Sequence, residues 1–100
     1  MNNLGIEKEY FDNILNILNI IIPKYKVYVF GSRVNGKYKK YSDIDILIKG
    51  NEPIPLEILN NLKEKFSLSD IPYIVDIVDW YSLTENFREI LNSEKMLSII

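Results

Sequence analysis

The run Asp43-Ile44-Asp45-Ile46-Leu47-Ile48 places two acidic residues in an otherwise apolar segment that reads as a β-strand. Side chains alternate between the two faces of a strand, so the two aspartates are expected on one face and Ile44 and Ile46 on the other. Aspartate is a poor strand former, and a buried carboxylate without a partner is costly. The pair therefore predicts a shared cation, although a solvated strand edge would explain it equally well in isolation.

A glycine-containing turn, Gly31-Ser32-Arg33-Val34-Asn35-Gly36, separates that segment from a preceding strand-like run, Lys26 to Phe30. A glycine at a strand end allows close backbone approach, and a serine hydroxyl with the amides that follow it can bind a phosphate. The turn is not a P-loop, because Lys37 is followed by Tyr38 instead of Ser or Thr. The structural alternative is a tight turn in which Ser32 caps a short helix.

A third carboxylate is expected from the strand-like segment Ile74 to Trp80. Asp76 lies in the middle of this segment and is the favoured candidate, whereas Asp79 is expected to face the opposite side and to have a structural role. The reverse assignment stays open. Three converging carboxylates would suit two Mg²⁺ ions about 3.5–4 Å apart, as used in in-line phosphoryl transfer. Three lysines between turn and carboxylates either hold phosphates or belong to a solvated loop: Lys37, Lys39 and Lys40.

The composition restricts the chemistry. The chain contains no histidine and no cysteine, so a metal must be held by oxygen ligands, which favours Mg²⁺ or Mn²⁺. The net charge of -2 and the pI of about 5.1 disfavour a protein that coats a nucleic-acid backbone or binds DNA directly, but they allow a nucleotide. With no long apolar stretch and no basic-then-apolar start, we expect no membrane span and a cytoplasmic location.

The chain of 100 residues is expected to form one domain over residues 1–100. The predicted order is α-β-α-β-α-β-α, an α+β fold with a small mixed sheet flanked by helices. Apolar periodicity, prolines and a Ser82-Leu83-Thr84-Glu85 capping box predict the outer elements. The predicted elements are a helix from Ile6 to Ile22, strands at Lys26–Phe30 and Asp43–Ile48, a helix from Leu56, a strand at Tyr73–Trp80, a helix buried through Phe87, Ile90 and Leu91, and a short strand within Met96–Ile100.

These motifs occur in the order found in a known family. Gly31-Ser32-Arg33, Ser42-Asp43-Ile44-Asp45 and Val75-Asp76-Ile77-Val78-Asp79 together resemble the minimal nucleotidyltransferases of the DNA polymerase β superfamily. The resemblance implies the nucleotidyltransferase fold and metal-dependent transfer of a nucleoside monophosphate, expected to be AMP from ATP, with release of pyrophosphate. It implies that Asp43, Asp45 and Asp76 bind metal. It also implies that Gly31 and Ser32 hold phosphates, and Arg33 and Lys37 are added to this phosphate-binding set.

The resemblance also implies a partner. Family members of this length commonly work with a separately encoded all-helical subunit, either a HEPN-type toxin that is adenylylated or a substrate-binding subunit. A small domain offers an open shelf rather than a deep pocket, so a homo-dimer or hetero-oligomer is expected. Five aromatic residues are candidates for an interface, with packing on the sheet as the alternative: Tyr38, Tyr41, Tyr73, Trp80 and Tyr81.

Two other functions remain open at the level of sequence. The chain could be an antitoxin-like or scaffold subunit that neutralises a helical partner by contact, or a sensor that binds a nucleotide without turnover. The acceptor hydroxyl and the base preference are not specified by any motif in the chain.

Overall fold

The computed structural model describes residues 3–100. Within them the chain forms a four-stranded sheet whose spatial order is β3-β2-β1-β4. Strand β1 pairs antiparallel with both β2 and β4, whereas β2 and β3 are parallel. The elements in chain order are α1 (Lys8–Ile21), β1 (Lys26–Phe30), α2 (Ser32–Asn35), β2 (Ile44–Lys49), α3 (Leu56–Ser67), β3 (Val75–Asp79), a 3₁₀ turn (Trp80–Ser82), α4 (Glu85–Ser93) and β4 (Leu97–Ser98). The predicted α+β architecture with a mixed sheet is confirmed.

One face of the sheet is covered by α1 and α3, and we call it the closed face. It carries the main hydrophobic core, in which Ile44, Ile46 and Ile48 of β2 are almost fully buried. Their alternation with Asp45 and Leu47 follows from the two-residue period of the strand. The core therefore fixes the register of β2, because a slip of one residue would turn Asp45 inward and the isoleucines outward.

The opposite face, the open face, has a smaller apolar cluster formed by Phe30, Leu47 and Leu91 of α4. We predicted that Phe87 and Ile90 also bury the inner side of this helix, and that prediction is wrong. The two side chains are 41% and 52% exposed, because α4 meets the sheet mainly through Leu91.

The start of α4 differs from the predicted capping box. Thr84 is the residue that caps the helix, accepting a hydrogen bond from the amide of Phe87. Ser82 instead donates its hydroxyl to the carbonyl of Asp79. The segment Trp80–Ser82 forms a 3₁₀ turn, and its Ser82 is therefore not available as the helix cap.

The remaining boundaries differ by one or two residues. Strand β1 has the predicted bounds, but β2 begins at Ile44, so Asp43 precedes the strand instead of opening it. Helix α3 begins at Leu56 as predicted, and Pro55 is the residue before it. Among residues 3–100, no helix combines the length and apolarity that crossing a bilayer requires.

Candidate active site

Asp45 and Asp76 lie side by side on the open face. The parallel register of β2 and β3 pairs Asp45 directly with Asp76, and neighbouring strands lie about 4.8 Å apart. Asp45 is half-buried and Asp76 is exposed. Asp43 is exposed in the loop just before β2. The topology thus places Asp45 beside Asp76, with Asp43 just before β2, and we call these three carboxylates the acidic cluster.

The electrostatics of the acidic cluster agree with this proximity. The pKa of Asp45 is raised, first by burial and then by the negative charges of Asp76 and Asp43. Within residues 3–100 no side chain or amide donates a hydrogen bond to any of the three carboxylates. An arrangement that is repulsive and unsatisfied by protein donors is what a bound cation would stabilise.

The donor set suits a hard divalent cation. Carboxylate oxygens are preferred ligands of Mg²⁺, which usually binds through one or two carboxylates and substrate phosphates rather than through a closed protein cage. Among residues 3–100, no three acidic, histidine or cysteine side chains are grouped closely enough to hold a metal ion by themselves.

Gly31 lies against the acidic cluster. Its backbone has φ 76° and ψ -149°, a conformation that essentially only glycine adopts. A Cβ built on Gly31 would stand 2.5 Å from Oδ2 of Asp45, which is closer than real contacts allow. Glycine is therefore required here twice, for the turn and for the space that the Asp45 carboxylate occupies.

Ser32 and Lys37 flank this turn. Ser32 is the first residue of α2, and the helix cap is Gly31, so the alternative in which Ser32 caps the helix is wrong. The amide of Lys37 donates to the carbonyl of Ser32 and to Oδ1 of Asn35, while its side chain is exposed. Ser32 thus directly follows Gly31, the residue that lies against Asp45, and its predicted phosphate-binding role stays a prediction.

Arg33 does not join the predicted phosphate-binding set. Its side chain is only 1% exposed, and its two terminal nitrogens donate to the carbonyls of Leu4, Gly5, Lys40 and Ser42. Its position as the second residue of α2 turns it away from the open face and into the protein. The prediction that Arg33 holds phosphate is therefore corrected, because both of its terminal nitrogens are already bonded to carbonyls.

Asp79 has the structural role that the sequence favoured. It is 7% exposed on the closed face, and it accepts hydrogen bonds from the amides of Ile54 at 3.1 Å and Tyr81 at 3.2 Å. These two bonds fasten the loop before α3 and the 3₁₀ turn to the end of β3. A carboxylate satisfied in this way is not available to a metal on the other face.

The five aromatic candidates do not form one patch. Tyr73 is only 8% exposed, with its hydroxyl donating to Glu7 at 2.7 Å, so its assignment to an exposed surface is wrong. Tyr38 and Trp80 are half-buried, and Tyr41 and Tyr81 are exposed. On α4 the sequence did not predict that Phe87 and Ile90 remain accessible; Leu56, Leu68 and Ile74, outside that helix, are also exposed.

Comparison with known proteins agrees with this site. Residues 11–99 match the family model described as a nucleotidyltransferase domain. Over 88 residues the chain is 47% identical to the "Probable protein adenylyltransferase MntA" of Haemophilus influenzae, covering 88% of this chain and 77% of that protein.

Two solved structures share the fold. One is described as a toxin–antitoxin with AMP-PNP, with a TM-score of 0.67, 26% identity, and coverage of 96% of this chain and 72% of that chain. The other is described as a tri-AMPylated Shewanella oneidensis HEPN toxin in complex with MNT antitoxin. Its TM-score is 0.64, with 25% identity and coverage of 93% of this chain and 71% of that chain.

Nucleotidyltransferases in general use a divalent metal, in agreement with the oxygen ligands of the acidic cluster. From the matched family model, the 47% identical relative and the shared fold, we conclude that the chain belongs to the nucleotidyltransferase-domain family, as a minimal nucleotidyltransferase.

Proposed function

We propose that this protein transfers AMP from ATP to a hydroxyl group on a separately encoded helical partner protein, and that it releases pyrophosphate. The observation that carries the proposal is the register pairing of Asp45 with Asp76 beside Gly31, with Asp43 close enough to raise the pKa of Asp45. The relative named as a protein adenylyltransferase and the structure of a tri-AMPylated toxin with its antitoxin support AMP and a protein acceptor.

The proposed roles follow from position. Asp43, Asp45 and Asp76 would hold Mg²⁺, with Mn²⁺ as a substitute, because Asp45 and Asp76 are register partners on the open face and Asp43 is close enough to raise the pKa of Asp45. The ions would neutralise charge on the triphosphate and hold the reacting oxygens in line. Gly31 and Ser32 would contact the phosphates through their backbone and hydroxyl, and the exposed Lys37 would contact them as a flexible cation.

The chemical step is a substitution at the α-phosphorus of ATP. The acceptor oxygen forms a bond to that phosphorus while the bond to the oxygen bridging the α- and β-phosphates breaks, and pyrophosphate leaves. The acceptor hydroxyl must lose its proton in the process. Asp43 and Asp76 are both exposed, and we assign the proton to the carboxylate of Asp76, which lies on β3 directly beside Asp45.

A partner is proposed because the site is open. The acidic cluster lies on the less covered face of the sheet. Leu91 is the one residue of α4 that is buried against this face. Phe87 and Ile90 lie three residues apart on α4 and stay accessible, which is typical of a surface that another protein covers. A helical protein encoded next to this chain would be the first candidate partner. The reaction is assigned to the cytoplasm, because such a partner and ATP would be met there.

The experiment is an incubation of the purified protein with that helical partner, ATP and Mg²⁺, followed by intact-protein mass spectrometry. We expect the partner to gain the mass of one or more AMP groups. Asp43→Asn and Asp45→Asn should abolish the gain, whereas Asp12→Asn, which changes an exposed carboxylate paired only with Lys8 on α1, should not. A gain of mass with both cluster variants would contradict the proposal, and a partner neutralised without any mass change would favour the contact-only alternative.

A further inference from the structure

Arg33 makes an unusual set of contacts for a residue next to a phosphate-binding turn. One terminal nitrogen donates to the carbonyls of Leu4 at 3.2 Å and Gly5 at 3.3 Å. The other donates to the carbonyls of Lys40 at 3.3 Å and Ser42 at 2.8 Å. A single planar guanidinium thus joins two chain segments that are far apart in sequence, and we call this arrangement the arginine clamp.

Two aromatic rings enclose the arginine clamp. The guanidinium carbon lies 4.8 Å from the ring centre of Tyr38 and 4.7 Å from that of Tyr73. Both distances lie within the range of favourable cation–π contact. Nε is buried without a partner among the described residues. Because Arg33 is only 1% exposed and both of its terminal nitrogens donate to carbonyls, its guanidinium is not accessible to a phosphate.

Two of the segments that contact Arg33, the one that ends at Ser42 and the one that contains Tyr73, lead directly into the site. Ser42 precedes Asp43, and its hydroxyl also accepts the amide of Lys39, so the end of this loop is fixed by side-chain contacts. Tyr73 precedes β3, where the carbonyl of Ile74 accepts the amide of Ile44 at 2.9 Å. Arg33 itself follows Ser32. The clamp therefore ties together the phosphate turn, the approach to Asp43 and the approach to Asp76.

The N-terminal segment fits the same arrangement. Gly5 has φ 69°, and a Cβ at this position would fall on the ring of Tyr38. The backbone of residues 4 and 5 is thus packed against the ring that covers the guanidinium. Without a side chain at residue 5 the two carbonyls can approach Arg33 closely.

We propose that Arg33 is a positioning residue, which holds Asp43 in place relative to Asp45 and Asp76 and thereby sets the affinity of the acidic cluster for a divalent metal. Asp43 is the member most dependent on such support, because it lies outside β2 and has no strand to hold it. The inference rests on the proposed function for the role of the acidic cluster, but it concerns metal affinity and not the acceptor.

The test measures Mn²⁺ binding by electron paramagnetic resonance, without nucleotide, on wild-type protein, Arg33→Met and Gly5→Ala. Loss of support for a metal ligand typically weakens metal affinity by about 10–100-fold, and we expect a weakening in that range for Arg33→Met. Gly5→Ala should weaken binding in the same direction, since it displaces the carbonyls without touching Arg33 or the cluster. The matched control is Gly50→Ala, whose Cβ would meet the ring of Tyr25 at 2.5 Å at the far end of β2.

The outcomes separate the alternatives. If folded Arg33→Met binds Mn²⁺ as wild type does but has a raised KM for ATP, Arg33 holds phosphate and the inference is overturned. If Arg33→Met does not fold, Gly5→Ala decides: weakened binding beyond that of Gly50→Ala supports the inference, and equal binding overturns it. If wild type itself binds no Mn²⁺ and transfers no AMP, the proposed function has failed and the arginine clamp is structural only, which also overturns the inference.

Discussion

The two aspartates of β3, Asp76 and Asp79, lie on opposite faces of the sheet and have different surroundings. Asp79 lies on the closed face, is 7% exposed and accepts two backbone hydrogen bonds. Asp76, three residues earlier on the opposite face, is exposed and stands beside Asp45. The carboxylate with protein donors stabilises the fold, whereas the carboxylate with only another carboxylate beside it is available for a cation. Burial and hydrogen-bond partners together therefore distinguish the structural carboxylate from the one that can bind a cation.

The largest expected effect comes from removing the open-face charges. Asp45→Asn and Asp76→Asn should each lower AMP transfer about a thousandfold or more, because metal stabilisation of the transferred charge is worth several kcal/mol. Thermal unfolding in EDTA should show that neither variant is destabilised, since each substitution relieves repulsion within the acidic cluster. A transfer rate near wild type in either variant would break the distinction between the faces.

A smaller loss is expected from crowding the open face without changing its charge. Gly31→Ala would place a methyl group 2.5 Å from Oδ2 of Asp45 and would impose a strained backbone. A displacement of about 1 Å can cost about a hundredfold in rate. Gly36→Ala is the control for backbone strain, since its φ is 80° and nothing lies within 4 Å of the added Cβ. Steady-state transfer rates on the two variants give the comparison, and equal losses would contradict a role for the Gly31–Asp45 contact.

Asp79→Asn should reverse the pattern by lowering stability while leaving the activity per folded molecule unchanged. An amide in place of the carboxylate leaves one of the two backbone donors, the buried Ile54 amide or the partly buried Tyr81 amide, without its acceptor, which costs up to about 1–3 kcal/mol. For a domain of this size that lowers Tm by roughly 4–8 °C per kcal/mol. Thermal unfolding, together with transfer assayed well below Tm, measures both effects. A selective loss of metal binding in this variant would instead place Asp79 in the site.

The smallest effect is a dependence of stability on pH. Because the pKa of Asp45 is raised in the folded state, that state binds more protons than the unfolded state above the ordinary value of 3.8. Stability from this group is therefore lost as pH rises through the folded pKa, by at most about 1 kcal/mol for a half-exposed carboxylate. In EDTA, Asp45→Asn should exceed wild type in Tm by more at pH 7 than at pH 3. A difference in Tm between the two proteins that stays constant from pH 3 to pH 7 would contradict the raised pKa of Asp45 and the repulsion within the acidic cluster.

Local pattern predicted much of the fold and part of the site. The β-branched residues of β1 gave its bounds, and the alternation in β2 gave the face on which Asp45 projects. What the sequence could not supply is pairing: the alignment of Asp45 with Asp76 depends on the register of two strands joined through α3. The burial of Arg33 was missed for the same reason, because its contacts with Leu4 and Gly5 span nearly thirty residues.

The prediction that Phe87 and Ile90 are buried was wrong for a different physical reason. The apolar spacing of Phe87, Ile90 and Leu91 is typical of a buried helix face, but periodicity does not show whether the surface opposite is wide enough to cover it. Among residues 3–100, the buried members of the open-face cluster besides Leu91 are Phe30 and Leu47. The burial of Arg33, in contrast, had an indication in the sequence. Tyrosines lie near this arginine, and an arginine can stack on tyrosine rings in a buried position.

Metal binding by the two β3 variants tests the account most directly. Mn²⁺ titrated into wild-type protein, Asp76→Asn and Asp79→Asn, with free Mn²⁺ followed by electron paramagnetic resonance, compares the open and closed faces in one experiment. The account predicts that wild type and Asp79→Asn bind alike and that Asp76→Asn binds at least about tenfold more weakly. Equal binding by wild type and Asp76→Asn, with loss in Asp79→Asn, would contradict it.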